Sequence, residues 1–382
     1  MIYFDNSATT APYPEVLQTY HEVSNKIIGN PSSLHNLGTS SSRILEASRK
    51  QIADLLDVSS SEILFTSGGT ESDNWAIKGI AFEKKSYGNH IIVSSIEHPA
   101  VKESAKWLED FGFEVDFAPV NTKGFVDVEV FKSLIRPETI LVSIMAVNNE
   151  IGSIQPIRKL STILEDYPTI TFHVDAVQAI TKIPSSDFLT ERVDFASFSG
   201  HKFHGVRGVG FLYKKLGKRI TPLLTGGGQE SDLRSTTENV AGIAATAKAL
   251  RLAIDKQVNC EQMIVKCKHV LLTALEDYED VILFSGEAED YLPNILTFGI
   301  KGIRGEVLVH AFEEHEIYIS TTSACSSKAG KPAGTLLSMG VPSKLAQTAV
   351  RVSLDSSNTM VEVEQFLTIF KQIYQKTKKV RG

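Results

Sequence analysis

Lys202 stands in a sequence context that favours chemistry over a role as a surface charge. It follows Ser199-Gly200-His201 at the end of an apolar stretch, and the aromatic Phe203 comes next. Burying a lysine amine lowers its pKa, and the neutral amine is then available to form a Schiff base. A solvated lysine is the commoner case, but the Ser-Gly-His context favours the reactive interpretation.

Asp175 closes a predicted strand at Thr169–Val174. Ligands of doubly wound sheets bind at the carboxyl ends of the strands, so Asp175 is expected at a binding edge. A carboxylate there can pair with the protonated ring nitrogen of a pyridoxal cofactor, and Gln178 could hydrogen-bond the ring hydroxyl. Capping of the next helix by Asp175 is an equally good interpretation. Together with Lys202, this aspartate predicts pyridoxal 5'-phosphate as the cofactor.

A phosphate site is predicted at Thr66–Asn74, which follows a strand and opens a helix. Gly68 and Gly69 let the backbone approach a ligand, and the helix N-terminus offers unpaired N–H groups and a positive dipole. Ser199 and His201 could share the contact with the phosphate. Taken alone, an ordinary strand-to-helix turn explains the segment better, since neither a Walker loop nor a dinucleotide fingerprint is present.

Cys325 lies in Ser320–Pro332, a stretch of small residues with lysines at 328 and 331. A cysteine in such a polar loop is expected to be exposed, and the nearby positive charge raises its thiolate fraction. The remaining cysteines, Cys260 and Cys267, are too few for a disulfide framework, a zinc site or an iron–sulfur cluster. We therefore expect no metal site.

The order of apolar segments predicts a doubly wound, mainly parallel α/β sheet followed by a smaller α+β domain. We assign residues 15–255 to the large domain, and residues 1–14 with 256–382 to the small domain that carries the Cys325 loop. The predicted strands of the large domain are Glu62–Thr66, His90–Ser94, Glu114–Ala118, Ile140–Ala146, Thr169–Val174, Asp194–Ser199 and Val209–Tyr213.

Composition and charge exclude several classes of protein. The chain has 382 residues and a formal net charge of −6, which argues against binding nucleic acid by phosphate neutralisation. Its sequence contains no apolar run long enough for a membrane span and no signal peptide at the N-terminus. We expect a cytoplasmic protein without a membrane or nucleic-acid partner.

Taken together and in this order, the motifs resemble those of the NifS/IscS cysteine desulfurases, within the class V aminotransferase-like, fold-type I pyridoxal-phosphate enzymes. The resemblance runs from Tyr3 to Leu354. Its motifs are Tyr3–Thr10, Gly29–Ser33, Thr66–Asn74, Glu97-His98, Asn148–Gly152, His173–Gln178, Ser197–Lys202 and Arg351–Leu354.

The resemblance implies a role for each site residue. Lys202 would carry the cofactor, His98 would stack on its ring and assist proton transfers, and Arg351 would grip the substrate carboxylate. The remaining roles are phosphate binding by Gly69, Thr70, Ser199 and His201, ring contacts by Asp175 and Gln178, and orientation of the substrate beside the cofactor by Asn149. Thr237 resembles the threonine that reaches the phosphate of the partner subunit, which implies a homodimer.

The implied reaction converts L-cysteine to L-alanine and leaves the sulfur as a persulfide on Cys325. The segment after Cys325 lacks the Glu-Pro-containing pattern of iron–sulfur assembly members. The sulfur acceptor therefore stays open between an iron–sulfur scaffold and a tRNA-thiolating enzyme. Selenocysteine lyase, another class V transaminase, and a non-catalytic sulfur carrier or scaffold are the alternatives.

Overall fold

A computed structural model describes residues 1–287, 289–322 and 334–381. The strands are β1 (Ile2–Tyr3), β2 (Ile63–Thr66), β3 (His90–Ser94), β4 (Glu114–Ala118), β5 (Thr139–Ser143), β6 (Thr171–Asp175), β7 (Phe195–Ser199), β8 (Gly210–Lys214), β9 (Val281–Leu283), β10 (Ile295–Ile300), β11 (Ile317–Tyr318), β12 (Ser320–Thr321) and β13 (Ala349–Ser353). The α-helices are α1 (Pro14–Lys26), α2 (Asn36–Leu56), α3 (Gly69–Lys84), α4 (Pro99–Glu109), α5 (Val128–Leu134), α6 (Ile157–Glu165), α7 (Ser185–Phe188), α8 (Val240–Glu276), α9 (Gly305–Glu313), α10 (Gly334–Ser338), α11 (Ser343–Ala346) and α12 (Met360–Arg381).

The larger sheet has the strand order β2-β8-β7-β6-β5-β3-β4. Strand β8 is antiparallel to both β2 and β7, while β3 to β7 pair in parallel with one another. The other strands therefore share one direction and end at one edge. This mainly parallel α/β sheet confirms the predicted fold class.

Alternate residues of the central strands face opposite layers of helices. Ile91 and Val93 of β3 pack into a core with α3 and α4, whereas Ile92 packs into the core formed with α2, α6 and α8. In β5, Leu141 packs into the core with α3 and α4, and Val142 packs into the core with α2, α6 and α8. The apolar runs of these strands thus reflect a sheet covered on both faces.

A smaller antiparallel sheet has the order β12-β13-β10-β9, and β1 pairs in parallel with β11. Phe4 packs into the core of this second region together with residues of α8, α9 and α12. Helix α8 contributes Ala253 to one core and Ile264 to the other. The domain division at residue 255 thus falls inside one continuous helix, and it remains a prediction.

Within the part of the chain that the structure describes, no helix has both the length and the apolar character needed to cross a membrane.

Candidate active site

A cavity of about 560 Å³ opens at the carboxyl edge of the larger sheet. This volume is within the range of small-molecule sites. The cavity is lined by these residues predicted from the sequence: Gly69, Thr70, His98, Asn149, Asp175, Gln178, Ser199, His201, Lys202 and Arg351. The parallel strands end at this edge, so side chains far apart in sequence meet there.

The N-terminus of α3 forms one wall of the cavity. Gly68 precedes the helix with a φ of 154°, a conformation that L side chains rarely adopt. A Cβ atom on Gly69 would lie 2.8 Å from Val177 Cγ2 and 3.4 Å from Ser199 Cβ. Glycine at position 69 therefore avoids a clash with the Val177 side chain, which lines the same cavity. Backbone N–H groups at this helix end make the wall suitable for an anion.

Lys202 enters the cavity from a short 3-10 helix, Gly200–Lys202, that follows β7. Its Nζ atom donates hydrogen bonds to the carbonyl oxygens of Ser7 at 2.6 Å and of Ala8 at 2.9 Å. Ser7 is tied to the smaller sheet, since its N–H donates to Ser353 Oγ at 2.9 Å. The N-terminal segment thus holds the lysine amine at the boundary between the two sheets.

Asp175 is buried at the end of β6, and its Oδ1 atom accepts a hydrogen bond from the N–H of Val177 at 2.9 Å. Burial raises the pKa of Asp175 to about 6, against the opposing effects of the Val177 N–H and the charge of Lys202. The side chain lines the cavity while bonding the local backbone. Asp175 can therefore bond the local backbone and still belong to the site.

His98 lies at the start of α4, where its Nδ1 atom accepts a hydrogen bond from the N–H of Ala100 at 3.2 Å. Burial lowers the pKa of His98 to about 4, and the charge of Lys202 acts in the same direction. The imidazole is therefore neutral near pH 7. Since Nδ1 accepts, the ring proton is assigned to Nε2.

Arg351 of β13 brings a buried cation to the cavity. It donates from Nη1 to the carbonyl oxygen of Asn149 at 2.8 Å and from Nη2 to Asp5 Oδ1 at 2.9 Å. Its Nε atom is buried and finds no hydrogen-bond partner among the described residues. An unpaired donor on a buried cation is suited to receiving a carboxylate.

Buried carboxyl groups form a feature that our sequence interpretation missed. Burial raises the pKa of Glu97 to about 8, that of Glu150 to about 7 and that of Asp73 well above its ordinary value. Asp73 and Glu150 line the cavity. The sequence did hold a clue to these carboxyl groups, because Glu97 adjoins His98 and Glu150 adjoins Asn149 in the motifs. A carboxylate next to a site residue is usually solvated, however, so burial was not expected.

One predicted residue, Thr237, lies outside this cavity, and a second, Cys325, falls outside the described residues. Thr237 lines a neighbouring cavity of about 170 Å³, which shares Ser67 and Gly208 with the first. Cys325 lies outside the described residues; Thr322, described just before it, lines the larger cavity. Within 1–287, 289–322 and 334–381, no cluster of His, Cys, Asp or Glu is arranged to hold a metal ion.

Comparison with known proteins gives a match to the family model described as aminotransferase class-V, over residues 2–366. A NifS/IcsS protein homolog of Lactobacillus delbrueckii subsp. bulgaricus is 52% identical over 380 residues, covering 100% of this chain and 99% of the relative. The cysteine desulfurase IscS of Methanosarcina thermophila is 42% identical over 375 residues, covering 98% and 92%.

The solved structure of a NifS-like protein superposes with a TM-score of 0.92 at 39% identity, covering 98% of this chain and 99% of that one. These matches confirm the resemblance inferred from the motifs. The chain belongs to the class V aminotransferase family, among its NifS/IscS-type members.

Proposed function

We propose that this chain is a pyridoxal-phosphate-dependent cysteine desulfurase. The observation that carries the proposal is the placement of Lys202, Asp175 and Arg351 around one cavity beside a helix N-terminus. These groups supply an amine for an aldehyde, a carboxylate for a ring nitrogen and a cation for a substrate carboxylate. Relatives named as cysteine desulfurases cover nearly the whole chain and favour this activity within the family.

The residues of the cavity fit pyridoxal phosphate. Gly68, Gly69 and Thr70 line the cavity at the first turn of α3, where backbone N–H groups suit a phosphate. Asp175 would be the partner for the ring nitrogen, and Gln178 lines the same cavity. When bound, the cofactor supplies an electron sink for negative charge at the substrate α-carbon.

The protein side chains would orient the substrate and move protons. Arg351 would bind the carboxylate of L-cysteine, and Asn149, whose carbonyl already accepts from Arg351, would lie next to it. Lys202 would take the proton from the α-carbon, and His98 lines the same cavity as a second group able to carry a proton. His98 can donate only through Nε2, so its proton is directed away from Ala100.

Sulfur transfer is assigned to Cys325 from the sequence resemblance. Its thiolate would attack the sulfur of bound L-cysteine, forming a sulfur–sulfur bond as the carbon–sulfur bond breaks. The electron pair stays on the β-carbon, which takes up a proton, so the products are L-alanine and a persulfide on Cys325. Thr322, three positions before Cys325 in the sequence, lines the cavity, which supports this assignment.

The test is production of alanine and sulfide from L-cysteine, in the presence of a reductant, by the wild type and by Cys325→Ala. A desulfurase acting through Cys325 gives products only in the wild type. Equal turnover by Cys325→Ala supports another class V lyase or transaminase instead. Absence of a bound cofactor in the purified protein, after incubation with pyridoxal phosphate, supports a non-catalytic sulfur carrier or scaffold.

The partners follow from the same proposal. Thr237 is exposed and lies outside the cavity of its own chain, which suits a contact with the phosphate site of a second copy in a homodimer. The sulfur acceptor is either an iron–sulfur scaffold or a tRNA-thiolating enzyme. Incubating the enzyme, carrying labelled sulfur, with each class of acceptor separates the two.

A further inference from the structure

Lys182 lies behind the cavity wall and is bonded to a residue that lines the cavity. Its Nζ atom donates a hydrogen bond to Gln178 Oε1 at 2.9 Å. Gln178 is buried, and its Nε2 atom in turn donates to the carbonyl oxygen of Ser7 at 3.0 Å. The same carbonyl accepts from Lys202 Nζ at 2.6 Å. The two lysines are therefore linked through one amide and one backbone carbonyl.

These partners determine which way the Gln178 amide points. The Ser7 carbonyl can only accept, so the amide nitrogen must face it and the amide oxygen must face Lys182. One N–H of Nε2 is used by Ser7, and the second N–H remains for the cavity that Gln178 lines. Without Lys182, the oxygen of this buried amide would lose its donor, which is unfavourable. Rotation of the amide, or water entering beside it, would then compete with the present orientation.

We propose that Lys182 is a positioning residue that holds the Gln178 amide with an N–H directed at the ring oxygen of the bound cofactor. The inference rests on the proposed function, because it assigns the occupant of the cavity. It adds a residue outside the cavity to the set that determines how tightly the cofactor is held.

The surroundings of Lys182 suit a fixed donor. It lines a second, smaller cavity of about 40 Å³, whereas Ser7 and Lys202 line both cavities. A polar space of this size accommodates a water molecule that can solvate the remaining N–H groups of the amine. Burial lowers the pKa of Lys182 to about 7, and the charge of Lys202 adds to that shift, while Asp355 opposes it. A neutral amine still carries N–H groups, so Lys182 can donate to Gln178 Oε1 in either protonation state.

A double-mutant cycle separates positioning from a general role in stability. The four proteins are the wild type, Lys182→Met, Gln178→Ala and the double variant, each stripped of cofactor and titrated with pyridoxal phosphate to measure its Kd. The matched control is Lys159→Met, which removes an exposed lysine of α6. Melting temperatures of the cofactor-free proteins report whether each variant folds.

We expect Lys182→Met to raise the Kd about tenfold in the wild-type background. This is the change expected from the loss of one hydrogen bond to a charged group. In the Gln178→Ala background the same change should raise the Kd less than about twofold, because the amide through which Lys182 acts is absent. Lys182→Arg, which keeps a donor, should restore most of the affinity. Lys159→Met should bind like the wild type.

An unchanged Kd for Lys182→Met, or an equal loss with and without Gln178, would overturn the inference. Should Lys182→Met fail to fold, Lys182→Leu, which also lacks a donor, replaces it in the same cycle with the same criteria. A wild-type protein that binds no pyridoxal phosphate would contradict the proposed function instead, so the two failures are distinguishable.

Discussion

Arg351 Nη2 lies 2.9 Å from Asp5 Oδ1, which joins a strand of the smaller sheet to the N-terminal segment. The arginine is buried, while the aspartate is partly exposed. The pair fixes one edge of the guanidinium and leaves the buried Nε atom without a partner among the described residues. The arginine is thus held in place before any substrate carboxylate arrives.

Replacing this arginine tests its role in binding substrate. Arg351→Lys keeps the charge but loses the planar fork, so a single nitrogen replaces the separate Nη1 and Nη2 donors that contact Asn149 and Asp5. We expect the KM for L-cysteine to rise about tenfold or more, with a smaller effect on kcat. Steady-state kinetics measure both values, and cofactor absorbance serves as the control for an intact site. A KM equal to that of the wild type would place the substrate carboxylate elsewhere.

The anion wall at α3 is tested by adding one methyl group. A Cβ at position 69 would lie 2.8 Å from Val177 Cγ2, so in Gly69→Ala the first turn of α3 or the Val177 side chain beside it must shift. We expect the Kd for pyridoxal phosphate to rise about tenfold, because either shift changes the cavity wall that would hold the phosphate. Equilibrium titration of the cofactor-free protein measures it.

The melting temperature of cofactor-free Gly69→Ala is its control. A variant that melts like the wild type yet binds weakly places the defect in the phosphate site. Unchanged cofactor affinity would show that the phosphate lies away from Gly69.

A substitution at His98 can distinguish a role in stacking on the cofactor from a role in proton transfer. His98→Phe retains an aromatic ring over the site but lacks the Nε2 proton. We expect kcat to fall about a hundredfold or more while the cofactor is retained. Turnover assays and visible absorbance of the same preparation measure the two effects. Undiminished kcat would remove His98 from the proton transfers and leave it a stacking residue only.

Asp355 makes the stability of the fold depend on pH. Its Oδ1 atom lies 3.0 Å from His204 Nε2. Burial acts to raise the pKa of Asp355, but the hydrogen bond and charge of His204, together with the backbone N–H groups of Ser356 and Ser357, lower the pKa to about 2. The folded pKa is below the unfolded value, so this stabilisation is present above about pH 4 and is lost as pH falls towards about 2.

We therefore expect Asp355→Asn to lower the free energy of unfolding by about 2 kcal/mol near neutral pH. The difference from the wild type should shrink as the medium is acidified, because the wild-type carboxylate becomes protonated. Urea unfolding of both proteins at neutral and acidic pH measures it. A difference that stays constant with pH would mean that the loss comes from packing rather than from charge.

The fold was largely predictable because the strands of the larger sheet are buried on both faces. Runs such as His90–Ser94 are then apolar almost throughout, and their ends coincide with the observed strand. The short strands β11 and β12 were not predicted, since two residues carry no periodicity. Their positions depend on pairing with distant partners, β1 and β13.

The candidate site was predictable where a residue type requires a particular partner, as with Lys202 and Asp175. Asp5 and Lys182 were missed because each acts through another side chain, and nothing local in the sequence reveals that contact. The raised pKa of Glu97 likewise depends on burial, which only the packed structure shows.

The most direct test of the account is the mass of the peptide containing Cys325 after the cofactor-loaded protein has met L-cysteine. We predict one added sulfur atom on that peptide in the wild type and none in Lys202→Ala, with alanine released in equal amount to the sulfur bound. Alanine formation by the wild type without added sulfur on Cys325, under conditions that preserve persulfides, would contradict the account.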